Sequence, residues 1–347
     1  MGKKHQSRRK GILMGKKHHS SNGASASEAE RATTDPVTSE HAVEAATARA
    51  SEITSPEASV ATDLPPAPNY PRYRIDHGEQ LRLVEPTSAV GLQLVHIDPN
   101  ESEGFQSKDD IKDELKHQQA RIAELQARLY AERKHSLLIV LQAMDTGGKD
   151  GTIRGVFQGV NPQGCQVWSF KAPSSEELEH DFLWRYHIKA PPRGMITIFN
   201  RSHYEDVLIV RVKNIVGEDV WRHRYAMINE FEHMLTLNNT TVLKFFLYIS
   251  EDEQKRRLES RLEDPTKHWK FSSNDLKERT YWEQYHVAFE DAINHCSTPY
   301  APWYVVPANK KWYRNLVIAR TIADTLEAMN PQFPEAEAGL DQIVVPG

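Results

Sequence analysis

Cysteine is nearly absent: the 347 residues contain only Cys165 and Cys296. They lie far apart in apolar stretches, which leaves neither a disulfide framework nor a cysteine metal site. Both read as buried free thiols of a reducing compartment. Long hydrophobic runs are missing too, and nothing approaches the roughly eighteen apolar residues of a membrane span. The basic amino-terminal residues lack the apolar core of a secretory signal. Sixteen histidines are scattered with no H-E-x-x-H pattern, which argues against zinc. A cytoplasmic chain with no membrane partner is the resulting expectation.

Charge is unevenly placed. The formal net charge is −5, but residues 1–20 hold seven Lys/Arg and no Asp/Glu, leaving 36 basic against 48 acidic residues and a net of −12 in the rest. A body this acidic is not suited to general nucleic-acid binding. Any polyanion it handles must meet a local basic patch.

Residues 1–71 form a low-complexity tail, basic at the tip, with MGKKH repeated at Met1 and Met14, then rich in Ala, Ser, Thr, Glu and Pro. Residues 72–106 read as an arm on the main domain, and 331–347 as a flexible tail. The apolar stripe Ile111, Leu115, Ile122, Leu125, Leu129 predicts a helix over 107–134, with Asp109 and Asp110 in its first turn. Five apolar runs predict strands near 137–142, 165–170, 194–200, 241–249 and 303–307. Between them the pattern predicts helices at 150–160, 174–188 (opened by a Ser174/Glu177 capping box), 218–237, from Ser250 with Glu253 as its cap, and 312–329. The tryptophans Trp168, Trp184, Trp282, Trp303 and Trp312 read as core, Trp269 as the exception. Alternating strands and helices indicate an α/β fold, a parallel sheet flanked by helices on both faces.

The first strand runs into AMDTGGKDG. A buried strand that delivers glycines and a lysine to a helix start is built to cradle phosphates. The loop departs from the Walker A pattern G-x-x-x-x-G-K-[ST]. Ala143 replaces the first glycine, Gly147, Gly148 and Lys149 are in place, and Asp150 follows where a hydroxyl is usual, with Gly151 and Thr152 next. The hydroxyl that normally holds Mg²⁺ is displaced, so Asp145 becomes the nearest metal candidate.

In open parallel sheets, ligands sit beyond the carboxyl ends of strands. The third strand ends in NRSHYED, which puts Arg201 over the same edge as Lys149, with Glu205 and Asp206 close behind. Of these carboxylates Asp206 is the preferred metal contact and ordinary structural roles account for His203 and Glu205, but the sequence does not decide between Glu205 and Asp206 as the metal partner. Lys171, after the second strand, is as well explained by solvent as by a phosphate. The segment 250–279 holds eight Lys/Arg. Arg257 and Arg261 share one helix face. Asp264 and Pro265 end that helix, and a basic loop precedes a second helix start at Ser272. This is the outline of a lid that excludes water and supplies cations, with Arg261, Lys267 and Lys270 best placed.

Five segments in this order, LQAMDTGGKDGTIRGVF, FLWRYH, IFNRSHYEDVLIVRV, RLEDPTKHWKF and APWYVVPANKKWYRN, resemble the second polyphosphate kinase family, the polyphosphate:nucleotide phosphotransferases. The similarity covers about residues 72–330. HYED after NRS is similar to the subgroup that phosphorylates both nucleoside mono- and diphosphates. The resemblance implies a P-loop kinase fold with a lid at about 251–295 in a domain spanning 107–330, Mg²⁺ dependence and a homo-oligomer. It also implies phosphate-contact or catalytic roles for Asp145, Lys149, Arg201 and the lid cations. Family members usually carry Gly at the position of Ala143 and Ala at that of Gly147, so this chain inverts the pair.

The expected reaction moves the terminal phosphoryl of inorganic polyphosphate to AMP or ADP, reversibly, with GMP and GDP as further acceptors to test. Asp145 and Asp206 would hold Mg²⁺, Lys149 and the amides of 148–152 the acceptor-side phosphates, and Arg201 with Arg261 or Lys270 the migrating group. Two alternatives remain open: an ATP-dependent nucleoside-monophosphate kinase, and a nucleotide-binding regulatory module that recruits a partner through the 107–134 helix.

Overall fold

The computed structural model of the chain describes residues 73–75 and 91–346. The tail at 1–71 and most of the arm, at 72 and 76–90, lie outside the described residues. Five strands, β1 (Ser136–Gln142), β2 (Cys165–Ser169), β3 (Ile196–Asn200), β4 (Thr240–Tyr248) and β5 (Trp303–Pro307), form one parallel sheet in the order β2-β3-β1-β4-β5. All five stand where the apolar runs place them. Leu137, Leu138, Ile139, Val140 and Leu141 of the central strand are 0–1% exposed. Burial of each contributes about 1.5–3 kcal/mol, which suits a strand covered on both faces.

The helices are α1 (Lys112–Glu132), α2 (Lys149–Val156), α3 (Ser175–Leu178), α4 (Trp184–His187), α5 (Ile209–Val212), α6 (Glu218–Leu237), α7 (Glu251–Glu263), α8 (Ser273–Arg279), α9 (Trp282–Cys296) and α10 (Lys311–Met329). α10 packs on α1, α2 and β5, while α6 packs on β4 and α9. Alternation along β4 puts Lys244 against Glu232 of α6 and the Phe246 ring 4.2 Å from that of Phe289 in α9. Residues 73–75 run antiparallel beside β5, with Ile75 N donating to Trp303 O at 2.9 Å.

Several boundaries differ from the sequence-based expectation, each for a local reason. α1 starts five residues late because the Asp110 carboxylate accepts from the amides of Gln106, at 2.7 Å, and Ser107, at 3.0 Å, and holds them in a turn. Asp113 and Glu114, not Asp109 and Asp110, occupy its first turn. α2 stops at Val156, ahead of Gly159 at φ 86°. The Ser174/Glu177 capping box forms, but the helix it opens lasts one turn. The Asp181 carboxylate caps the amides of Leu183 and Trp184 and starts α4 separately. Cys296 is buried, but Cys165 is half-buried, because β2 is an edge strand. Burial pushes the Cys165 thiol up to about 11 and the Cys296 thiol to about 12, so neither is a nucleophile near neutral pH. Trp282 and Trp303 are core, Trp168, Trp184 and Trp312 are half-buried, and Trp269 is 79% exposed.

Candidate active site at the carboxyl edge of the sheet

β1 ends at Gln142, and residues 143–148 form the loop that starts α2. Gly148 caps that helix at φ 103°, a conformation that L side chains rarely adopt. Thr146, at φ 63°, carries backbone strain beside it. The inverted pair explains itself here. A Cβ on Gly147 would lie 2.4 Å from Ala143 Cβ and 2.9 Å from Met144 O. The two positions cannot both carry a side chain without displacement.

Every carbonyl of residues 143–148 is occupied from within. Lys149 Nζ donates to Ala143 O at 3.0 Å, Gly147 N to Met144 O at 3.0 Å, and Gln254 Nε2 to Asp145 O at 3.0 Å. Arg257 Nη1 donates to Thr146 O and to Gly147 O, each at 3.0 Å, Arg314 Nη1 to Gly147 O at 3.3 Å, and Thr152 N to Gly148 O at 2.9 Å. The first-turn amides of α2 are left for an external acceptor, the arrangement that binds anions. Desolvation, and then the charge of Arg201, lowers the Lys149 ammonium to about 8.

Arg201 follows β3 in a left-handed conformation, φ 65°. Its Nη2 lies 2.9 Å from Asp145 Oδ1, an ion pair that joins the ends of β1 and β3. Asp145 Oδ2 has no protein donor among the described residues. Glu205 is half-buried beside this pair, close enough to feel Arg201, Lys149 and Asp145, and burial raises its pKa. The Gln142 amide, oriented to satisfy both ends, donates to Glu205 Oε1 at 3.1 Å and accepts from Ser202 Oγ.

Around these groups lies a cavity of about 1050 Å³, lined by twelve Lys/Arg and only four Asp/Glu. It is the basic patch that the acidic body requires of any polyanion site. Asp145, Gly147, Gly148, Lys149, Gly151, Lys171, Arg201, Arg261, Lys267 and Lys270 all reach it. Arg261 bonds Asp275 at 3.2 Å and the Lys270 carbonyl at 3.3 Å, which ties α7 to α8 over the cavity. Lys267 pairs with Asp264 at 2.7 Å, and the Lys270 ammonium lies 4.8 Å from the centre of the Trp269 ring.

Two expected residues are not brought to the cavity. Asp206 Oδ2 accepts from Tyr186 Oη at 3.0 Å, and its Oδ1 faces Arg224 at 3.4 Å. Burial raises this carboxyl to about 6. The reason is the 3-10 turn His203–Asp206, in which successive side chains point roughly 120° apart. Thr152 is fully buried, and its hydroxyl donates back to Gly148 O at 3.3 Å. Conversely, Arg154, Arg256, Arg257, Lys310, Lys311 and Arg314 line the cavity without having been singled out as site residues. For those after β5 the available signal was position, immediately beyond a strand's carboxyl end. His203 is buried and bonds Glu232 at 3.1 Å, and Glu232 pairs with the equally buried Lys244. This network supports the loop from below and does not reach the cavity. No group of three or more His, Cys, Asp or Glu able to hold a metal by itself occurs among the described residues.

The family model described as Polyphosphate kinase 2 matches residues 105–334. The chain is 51% identical over 255 residues to the AMP/ADP-polyphosphate phosphotransferase of Meiothermus ruber, covering 73% of this chain and 96% of that protein. It is 42% identical over 276 residues to the ADP-polyphosphate phosphotransferase of Rhodopseudomonas palustris, covering 76% and 92%. The crystal structure of polyphosphate kinase 2 from Arthrobacter aurescens TC1 superposes with a TM-score of 0.71 at 45% identity, covering 74% of this chain and 92% of that one.

Proposed function

The chain belongs to the polyphosphate kinase 2 family, and on that premise we propose that it transfers the terminal phosphoryl group of inorganic polyphosphate to AMP and ADP at the cavity above β1 and β3, with Mg²⁺. The observation that carries this reading is the excess of cations around a P-loop, twelve against four. A single ATP donor does not require so long a basic lining; a chain of phosphates does. Relatives named for AMP and ADP support both acceptors, and GMP and GDP remain acceptors to test.

In the reaction the bond between the terminal phosphorus and its bridging oxygen breaks, and a terminal phosphate oxygen of the nucleotide forms the new bond. The shortened chain keeps the bridging oxygen as an anion, and no proton need move. Catalysis is therefore positioning and charge neutralisation. Lys149 and the first amides of α2 hold phosphates. Arg201, with Arg261 or Lys270 from the lid, faces the migrating group. Glycines 147, 148 and 151 let backbone approach the anion, and Lys171 extends the basic wall. The helical lid formed by α7 and α8 excludes water.

A magnesium site in such enzymes needs only one or two protein carboxylates, the rest of its shell coming from water and phosphate. Asp145, whose Oδ2 has no donor among the described residues, fits that requirement, and Glu205 lies near enough to interact with it; Asp206 is engaged elsewhere. When bound, the ion would neutralise charge on the phosphoryl oxygens. No helix among the described residues is long and apolar enough to cross a membrane. A cytoplasmic homo-oligomer completes the proposal, with sedimentation velocity as the check on assembly.

The direct test incubates purified protein with Mg²⁺, long-chain polyphosphate and AMP, ADP, GMP or GDP separately. ADP and then ATP should form from AMP with polyphosphate as the only donor. Phosphorylation of AMP by ATP but not by polyphosphate would establish the monophosphate-kinase alternative, and tight nucleotide binding with no transfer the regulatory one.

A further inference from the structure

Arg314, at the start of α10, is only 2% exposed, yet no carboxylate lies within ion-pair distance among the described residues. Its guanidinium donates to Gly147 O at 3.3 Å and to the Asn315 side-chain oxygen at 2.8 Å. Burial, and then the neighbouring charge of Arg257, pulls Arg314 down to about 9. Arg257 differs in having an acidic partner, Glu253, at 2.5 Å. A buried cation with neutral partners alone lowers the stability of the fold that contains it.

The position of the group accounts for its presence. Arg314 Nη1 would lie 2.1 Å from a Cβ on Gly148, so the guanidinium is seated directly against the loop residue that caps α2. Together, Arg257 and Arg314 take the carbonyls of Thr146 and Gly147. If either carbonyl turned toward the cavity, its oxygen would repel a phosphate. Held back, they leave the Gly148 N–H and the first amides of α2 to meet the anion, while the Gly147 N–H stays on Met144 O.

We propose that Arg314 is a positioning residue for phosphoryl transfer: with Arg257 it holds the carbonyls of the P-loop away from the cavity, and its unmatched charge is balanced only when the phosphate chain is bound. The proposal rests on the reading that polyphosphate enters this cavity. It assigns the residue a cost in the free enzyme and a return in the loaded one, a combination that a purely structural arginine does not have.

The experiment compares wild type, Arg314→Met and Arg314→Lys. Thermal unfolding is followed with and without inorganic tripolyphosphate, and kcat and KM are measured with Mg²⁺, polyphosphate and ADP. Without ligand, Arg314→Met should melt at or above the wild-type temperature, because the unpaired charge is gone. Its stabilisation by tripolyphosphate should fall to less than about half that of wild type, and its kcat should fall about ten- to a hundred-fold, the range expected for hydrogen bonds to charged groups. The ADP KM should change by less than about threefold, because the anion that balances Arg314 is the polyphosphate donor and not the nucleotide. Arg314→Lys, which keeps the charge but not the fork, should recover part of the tripolyphosphate stabilisation and less of the kcat. An Arg314→Met protein that is unfolded or melts lower with its tripolyphosphate shift intact would make the residue structural and overturn the proposal, as would kcat within about twofold of wild type. If wild type itself neither gains stability from tripolyphosphate nor transfers phosphate, the functional reading fails instead.

Discussion

The pair Ala143 and Gly147 offers a quantitative test of how the P-loop is packed. Gly147 has no positive φ, so its backbone would accept alanine, and the whole obstacle to Gly147→Ala is steric. The new Cβ would stand 2.4 Å from Ala143 Cβ, more than an ångström inside ordinary carbon–carbon contact, and 2.9 Å from Met144 O. The loop cannot open freely, because Gly147 N bonds that same oxygen at 3.0 Å and Arg257 holds the carbonyls on the other side. Overpacking of this kind costs about 1–3 kcal/mol. Ala143→Gly alone should cost about 0.5–1 kcal/mol, through backbone entropy. It also removes the closest clash, leaving Met144 O at 2.9 Å and Ala143 Cα at an ordinary 3.6 Å. The double variant should therefore be more stable than the sum of the single effects by about 1–2 kcal/mol. Urea denaturation of the four proteins measures this coupling, and kcat/KM with polyphosphate should follow the same order. Additivity within about 0.5 kcal/mol, or a Gly147→Ala protein as stable as wild type, would refute the steric argument.

Lys149→Ala and Arg201→Ala should each reduce turnover by about two orders of magnitude or more while far-ultraviolet circular dichroism stays native; near-normal turnover in either removes it from the mechanism. Glu205→Gln should lower activity and raise the Mg²⁺ concentration needed for half-maximal rate, whereas Asp206→Asn should leave the Mg²⁺ requirement unchanged. The opposite pattern would reinstate Asp206. Because the free-enzyme Lys149 ammonium is lowered to about 8, its charge is present below that pH and lost above it. Accordingly kcat/KM, which reports the free enzyme, should fall as pH rises through about 8 and stay level below; a flat profile from pH 7 to 9.5 contradicts the assignment.

The strands and the loop were readable in the residues because their causes are local. A run such as LLIVL is too apolar to lie anywhere but inside, and GGK after it allows few other backbones. α6 was readable to the residue because its apolar positions recur with helical period between Gly217 and the Leu237 end. The region after Ser174 was not, since Asp181 can serve either as a mid-helix residue or as a new cap, and the choice depends on where Trp184 and Tyr186 must pack. Asp206 was misplaced for a similar reason. In the string HYED either acid can face the end of β1, and a 3-10 turn together with Tyr186 and Arg224 turns Asp206 away and leaves Glu205 beside Gln142.

The chain's order of residues settled a parallel α/β sheet, a glycine-lysine loop after its first strand, basic residues near the strand ends and a helix-loop-helix segment after the fourth. Each of these follows from periodicity or composition within a few turns of chain. Which cations converge, that Asp206 turns away from them, and that Arg314 lies against Gly148 followed only once segments more than a hundred residues apart were packed together. Charge and hydrogen bonding act through space, and a one-dimensional string holds the partners without their distances.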